Sequence, residues 1–258
     1  MSTQDRKAKA QAAAKAHGKG ANAIVIGGIV VVIAMVLVIG GVVIAATQGG
    51  GGGKEAPAGV AKGEPLEPYA DATPAKDAPV VDVYEDFRCP HCKTFEQATG
   101  ETITDLAEDG TIRLRVHLMT VIDNNAGGES SAVAGSSAVC AADQGAWTDY
   151  HRALFARQPQ GGEFPESAFT EAADEAGLEG DARDAWQQCT DDKQYVDYVQ
   201  SVDDAAAESG VRGTPAIEVE GTKLEWQAVV SEQGQVDTAQ LEEILTSGEV
   251  PEDMVASE

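Results

Sequence analysis

Hydrophobic and polar positions divide the chain into a long apolar run, a polar stretch and a patterned region. Residues 23–46 contain no charged residue, and about 24 residues rising ~1.5 Å each would span the ~30 Å core of a membrane. The run therefore predicts one transmembrane helix. The alternative is a cleaved signal peptide, because Val43 and Ala45 satisfy a small-residue cleavage rule. The run is, however, much longer than the roughly 7 to 15 apolar residues of such peptides.

The segments on either side of this run differ in charge. Residues 1–22 carry five basic residues and one acid, and no Lys or Arg follows the run until Lys54. By the positive-inside rule, this places the N-terminus and His17 in the cytoplasm and exports the rest of a single-pass cell-membrane protein. We interpret the basic segment as a topology signal and not as a nucleic-acid arm. Residues 47–78 include five consecutive glycines and no apolar periodicity, which predicts a flexible linker.

Strand and helix periods alternate from residue 79, and the predicted domain ends at residue 247. Residues 80–87 are mostly apolar and rich in β-formers, as in a strand buried on both faces. Residues 93–109 place apolar side chains at helical spacing, and residues 112–118 alternate as a second strand. This order predicts a βαβ unit and an α/β fold.

The remainder of the predicted domain is mainly helical. Residues from about 128 to 208 show helical patterns, and their aromatic stripes indicate core packing. Residues 216–220 return to strand character, Gly221 marks a hairpin turn, and residues 223–226 are the predicted partner strand. Residues 237–246 predict a final helix, and residues 248–258 are expected to form a loose acidic tail.

Charge and composition exclude two broad classes of protein. The chain of 258 residues has a net charge of -25, and because residues 1–22 are basic, the remainder is more acidic still. Such a surface repels phosphate backbones, so no nucleic-acid partner is expected. A hydrophobic content of 43% excludes wholesale disorder. All four cysteines follow the apolar run, and in an exported segment they are available for disulfides.

Cys89, Pro90, His91 and Cys92 stand between the first strand and the helix. Backbone N–H groups and the helix dipole favour a thiolate at a helix N-terminus, so we expect the pKa of Cys89 to lie well below ~8.5. Cys89 is the predicted nucleophile, and Cys92, one turn further in, is the predicted resolving sulfur. Pro90 suits the first helical turn, and His91 adds a donor or a positive charge. A stabilised thiolate favours the reduced form, so the expected direction is oxidation of substrate thiols.

Three other interpretations of this motif are weaker. A zinc site needs four ligands, and the chain has no second CxxC motif. Covalent haem attachment needs His after the second cysteine, where Lys93 stands. A purely structural disulfide across two residues closes too short a loop to add much stability. We therefore expect no metal and no cofactor other than the redox-active disulfide Cys89–Cys92.

The chain resembles the DsbA family of thiol-disulfide oxidoreductases. The resemblance rests on the CPHC motif after an apolar strand, a helical region of suitable size, and the sequence Gly213-Thr214-Pro215 before the later strand. It covers residues 78–247 and implies a thioredoxin fold with an inserted helical domain. The apolar run and linker resemble the membrane-anchored actinobacterial members. A second cysteine pair and the lack of a classical periplasmic signal peptide depart from the soluble Gram-negative pattern.

The resemblance also implies partners and further site residues. Clients would be exported proteins with free cysteines, and a quinone-linked membrane enzyme of the DsbB or vitamin K epoxide reductase type would reoxidise the cysteine pair. The Thr214–Pro215 bond is expected to be cis, with Thr214 beside the cysteines to pair with an extended client. An ordinary trans proline is the alternative.

Six other residues are assigned from the sequence. Glu85 and Asp86 precede the motif and are candidates for moving protons, or else simple solvated loop charges. Cys140 and Cys189 are expected to form a structural disulfide and not to remain buried free thiols, because the compartment is oxidising. Closing about 50 residues would stabilise the fold by roughly 4 kcal/mol. His117 and His151 are expected to be structural or exposed.

Two alternative functions remain open at this point. A reductase or isomerase on the same fold would have a reduced resting state, and known isomerase relatives usually add a dimerisation domain, which the sequence does not show. A tethered chaperone or binding module would bind peptides equally well without the cysteines.

Overall fold

The computed structural model describes residues 56–72, 74–231 and 235–256. The basic segment 1–22, the apolar run 23–46 and the first part of the linker lie outside these residues. Among the described residues, no helix combines the length and the apolar character needed to cross a membrane.

A four-stranded sheet forms the centre of the described domain. Its strands are β1 (Val80–Glu85), β2 (Arg113–Leu118), β3 (Ala216–Val219) and β4 (Thr222–Lys223), in the order β2-β1-β3-β4. β1 runs parallel to β2 and antiparallel to β3. Helix α1 (Pro90–Glu108) connects β1 to β2, since parallel neighbours need a crossover. The predicted βαβ unit is therefore present, and with the hairpin β3-β4 it gives a thioredoxin-like α/β fold.

A block of helices is inserted between β2 and β3. It starts at Val121 and ends at Ser209, somewhat wider than the predicted 128–208. Its helices are α2 (Val121–Ala126), α3 (Ser130–Ala142), α4 (Trp147–Ala156), α5 (Glu166–Glu175), α6 (Gly180–Asp191) and α7 (Val196–Ser209). Tyr150, Trp186 and Tyr198 are fully buried within it. The aromatic stripes thus form core, as their helical spacing predicts.

The chain after β4 is more ordered than the sequence predicts. β4 ends at Lys223, and Trp226–Val229 forms a 3-10 turn in place of the end of the predicted strand. Helix α8 covers Thr238–Ser247, one residue later than predicted, because the Asp237 side chain caps it by accepting from the backbone N–H of Gln240.

The acidic tail is not loose over residues 250–256. Met254 is buried, Val255 pairs with Leu224 in an antiparallel bridge, and the backbone N–H of Ala256 donates to the carbonyl of Lys223 at 3.0 Å. Met254 and the partly buried Val250 pack on the core and anchor this otherwise acidic segment.

The described part of the predicted flexible linker also packs on the domain. Leu66 is buried and exchanges two backbone hydrogen bonds with Val116 of β2, at 2.9 and 2.8 Å. The Tyr198 hydroxyl donates to the carbonyl of Glu64, and the Gly63 N–H donates to Ser201 Oγ. An isolated apolar residue such as Leu66 creates no periodicity in the sequence. In the structure, Leu66 covers the outer edge of β2, where unpaired backbone groups would otherwise face solvent.

Candidate active site

The end of β1 places both sulfurs of the CPHC motif at the N-terminus of α1. Cys89 is the N-cap residue and Pro90 occupies the first helical turn, where a missing N–H is tolerated. The backbone N–H groups of Cys92 and Lys93 donate to the Cys89 carbonyl at 3.0 and 3.3 Å, which closes the first turn. Both cysteines are free thiols here, so the structure represents the reduced form.

The two thiols differ strongly in acidity. The Cys92 thiol donates to the Cys89 sulfur, and this hydrogen bond outweighs the effect of burial and lowers the pKa of Cys89 to about 5. The backbone N–H groups of Cys92 and His91 and the nearby Thr214 side chain lower the Cys89 pKa further. Burial, followed by the hydrogen bond to Cys89, raises the pKa of Cys92 well above its ordinary value. The pair therefore holds one stable thiolate and one stable thiol.

The residues just before β3 bring Thr214 against the cysteines, although Thr214 lies 125 residues after Cys89 in the chain. Its carbonyl oxygen lies 3.4 Å from Cys89 Sγ, and the Thr214–Pro215 peptide bond is cis. Thr214, Pro215 and His91 line a groove of about 330 Å³. The residues assigned to catalysis and to client binding thus meet at one place on the surface.

Asp86 is buried beside Cys92, contrary to the solvated-loop interpretation. Its own backbone N–H donates to Cys92 Sγ at 3.5 Å. Its carboxylate accepts from the N–H groups of Arg88 and Ile122 and from the Ser131 hydroxyl, at 2.8, 2.9 and 3.0 Å. Burial outweighs these hydrogen bonds and raises the pKa of Asp86 to about 6.

Glu85 is also buried, at the end of β1, and belongs to a cluster of charges. Its carboxylate lies 2.6 Å from His151 Nε2 of α4, and His151 Nδ1 lies 3.7 Å from Glu96 of α1. Burial opposes protonation of His151, but the two carboxylates outweigh it and raise the pKa of His151 to about 10. His151 is a cation whose side chain is 12% exposed, and it has the structural one of its two expected roles, because it joins the helical insertion to the strand and to the active-site helix.

Several residues around the cysteines escape sequence reasoning because they come from the helical insertion. Gln158 Nε2 donates to the carbonyls of Phe87 and Cys89 at 2.6 and 2.9 Å and so holds the loop before α1. Arg88 forms an ion pair with Asp123, whose carboxylate also accepts from the first N–H groups of α3. A lone Gln or Asp in a helical region gives no signal of this role.

The second cysteine pair lies away from the helix N-termini. Cys140 of α3 and Cys189 of α6 form a disulfide that closes a separation of 49 residues. Among the described residues, no group of His, Cys, Asp and Glu could hold a metal ion.

Comparisons with known proteins agree with this geometry. The family model described as Thioredoxin matches residues 74–238. The reduced disulfide bond oxidoreductase DsbG from Mycobacterium tuberculosis is 29% identical with a TM-score of 0.51, covering 70% of this chain and 86% of its own. Oxidized DsbA from the same organism is also 29% identical with a TM-score of 0.51, covering 70% and 91%.

A third structure shares the fold at lower identity. The thiol-disulfide oxidoreductase MdbA from Corynebacterium diphtheriae is 23% identical with a TM-score of 0.51, covering 64% of this chain and 88% of its own. No curated protein sequence matches this chain.

Proposed function

The chain belongs to the thioredoxin family and is a DsbA-like protein thiol-disulfide oxidoreductase, and we propose that it acts as an oxidase that introduces disulfides into exported proteins. The opposite acidity of the two sulfurs carries this proposal. Since the Cys89 pKa of about 5 leaves that sulfur as a thiolate at neutral pH, the reduced form is stabilised relative to the disulfide. The disulfide then gains a strong tendency to accept electrons from client thiols.

The reaction consumes the Cys89–Cys92 disulfide and one client dithiol. A client thiolate attacks Cys89 Sγ, the Cys89–Cys92 bond breaks, and Cys92 leaves as a thiolate that takes up a proton. A second client thiolate attacks the client sulfur of this mixed disulfide, forms the client disulfide and releases Cys89 as a thiolate. Two electrons pass from the client to the cysteine pair.

Asp86 is the better placed of the two acids for proton transfer to Cys92. It contacts Cys92 Sγ through its backbone, and its pKa of about 6 allows it to hold and release a proton near neutral pH. Glu85 is engaged by the His151 cation, so we assign it to the charge cluster instead. Clients would lie along Thr214 and Pro215, next to Cys89.

The proposal includes a location and a second partner. Residues 23–46 would anchor the protein in the cell membrane with residues 1–22 in the cytoplasm, because the run is uncharged and its only basic flank precedes it. After each turnover, a quinone-linked membrane enzyme of the DsbB or vitamin K epoxide reductase type would reoxidise Cys89 and Cys92.

The reduction potential of the full-length protein in detergent tests the direction of the reaction. Equilibration with glutathione redox buffers should give a value nearer the roughly -120 mV of DsbA than the roughly -270 mV of thioredoxin. A value more negative than about -250 mV would contradict the oxidase and support the reductase. Retention of peptide binding with no redox activity would instead support a chaperone.

A further inference from the structure

The C-terminal segment 250–256 lies at the outer edge of the sheet, next to the active site. β4 is the last strand in the order β2-β1-β3-β4. Its outer edge, and the residues that directly follow it, would therefore be open to pairing with another strand. The segment occupies that position. The N–H of Glu225 donates to the Met254 carbonyl at 2.7 Å, and the N–H of Ala256 donates to the Lys223 carbonyl at 3.0 Å.

Packing as well as backbone pairing holds the segment in place. Met254 is buried against the main core, and Leu224, which pairs with Val255 in an antiparallel bridge, is 2% exposed. Val255, the next residue after Met254, is 45% exposed. Met254 ends a 3-10 turn, Glu252–Met254, which directs its side chain into the core while Val255 faces solvent.

The inner end of this segment borders the groove beside the cysteines. His91, Thr214 and Pro215 line one part of the groove, Trp226 lines another, and Ala256 completes the lining. Trp226 packs edge-on against Phe95 of the active-site helix, with ring centroids 5.3 Å apart. The part of the lining that Trp226 forms is therefore packed directly against α1.

This arrangement restricts how a client can bind. The backbone groups of Lys223 and Glu225 that could pair with a client strand are already used by the C-terminal segment. A volume of about 330 Å³ is at the small end of the ~300–1,000 Å³ range of ligand pockets. The groove can thus take a short extended stretch of chain with few side chains.

We propose that Ala256 is a specificity element of this enzyme: the segment 250–256 holds it at the groove, and its small side chain sets the width available to the residues flanking a client cysteine. The partner is an extended, unfolded client segment. The inference rests on the proposed function only in that clients bind beside Thr214 and Pro215, and it holds for an oxidase or a reductase.

The test compares two variants in full-length protein that also carries Cys92→Ala. The substrate is a peptide whose single cysteine is a mixed disulfide with thionitrobenzoate. The Cys89 thiolate attacks the peptide sulfur, a new disulfide forms, and thionitrobenzoate leaves as a coloured thiolate. The small disulfide dithiobis(nitrobenzoate), which carries no peptide, is measured in parallel. The quantity compared between variants is the rate constant for the peptide divided by the rate constant for dithiobis(nitrobenzoate).

Ala256→Trp should narrow the groove and lower this ratio about tenfold, as the loss of one well-fitted group does in a binding pocket. Val255→Trp adds the same bulk one residue away, on the exposed face, and should leave the ratio within about twofold of the parent. Thermal melting of both variants shows whether the fold is intact, and the ratio itself corrects for any change in Cys89 reactivity.

An unchanged ratio in Ala256→Trp would overturn the inference, as would an equal fall in both variants. The assay follows attack by Cys89 and not net oxidation. It therefore tests the role of Ala256 separately from the proposal that the protein is an oxidase. A reducing potential together with a lower ratio would refute the oxidase and retain the specificity element.

Discussion

The two cysteine pairs are nearly equal in burial and opposite in chemistry. Cys89 and Cys92 are 5% and 1% exposed, and Cys140 and Cys189 are 0% and 7% exposed. The first pair lies at the N-terminal end of α1, whereas Cys140 and Cys189 each lie in the last turn of their helices. A helix N-terminus stabilises a thiolate and a C-terminus does not. Position on a helix, together with the hydrogen bond from Cys92 to Cys89, therefore separates the reactive pair from the structural one, although the two pairs are nearly equally buried.

Chain separation strengthens the contrast. Two residues lie between Cys89 and Cys92, so their disulfide restricts little of the unfolded chain. The Cys140–Cys189 disulfide spans 49 residues, and its stabilisation is roughly 4 kcal/mol because a larger loop loses more entropy. The Cys89–Cys92 disulfide can therefore form and break with little change in the stability of the fold, whereas the Cys140–Cys189 disulfide stabilises the fold directly.

The largest expected effect is the loss of activity when the reactive pair is broken. Cys89→Ala should abolish dithiol oxidation, because Cys92 alone cannot form the redox-active disulfide and its raised pKa keeps it a thiol. Cys92→Ala should leave clients trapped on Cys89 as mixed disulfides. The control, Cys140→Ser with Cys189→Ser, should keep most activity per folded molecule. Oxidation of a dithiol peptide and non-reducing mass spectrometry measure both. Clients trapped on Cys92 in place of Cys89 would reverse the assigned roles.

The second effect is on stability and should appear in the other pair. Replacing Cys140 and Cys189 by serine should lower the free energy of unfolding by roughly 4 kcal/mol. Denaturant unfolding with the active-site cysteines reduced in both proteins measures the difference. Cys92→Ala, as matched control, removes no disulfide from the reduced protein and should cause a much smaller change. A double variant as stable as the parent would contradict a structural role.

The smallest effect is expected in the pH dependence of cysteine alkylation, which distinguishes Cys89 from Cys92. With a Cys89 pKa of about 5, alkylation of the reduced protein by iodoacetamide should be constant above about pH 6 and fall to about one tenth at pH 4. Cys92 should remain unreactive at neutral pH because its pKa is raised. A plateau reached only above pH 8 would mean that Cys89 has the acidity of an ordinary thiol.

The lowered pKa of Cys89 also determines how the stability of the reduced form depends on pH. The pKa of Cys89 is lower in the folded than in the unfolded chain, where it is ~8.5, so its contribution to the reduced form is complete above about pH 8.5. It is lost as the pH falls toward 5. The oxidised form lacks this thiolate, so the stability difference between the two redox forms should shrink over the same range.

Local features of the sequence were the ones predicted best. The order of strand, CPHC motif and helix follows from apolar spacing and from Pro90 at the first turn, which act over a few residues. The helical insertion was recognised from its periodicity, although its start at Val121 was missed because α2 has no buried residue to form a pattern. Element ends and the two chain segments flanking the domain were predicted least well.

The sequence by itself determined the reactive motif, its place at a helix N-terminus, and the class of chemistry that follows from it. Only the tertiary structure decided which distant groups surround the sulfurs, such as Gln158 on the Cys89 carbonyl, and which segments cover the two edges of the sheet. The physical reason is the distance along the chain over which the interactions act. Helical and strand periods arise between near neighbours, whereas single residues such as Leu66 and Met254 find their burial sites only when the whole domain is packed.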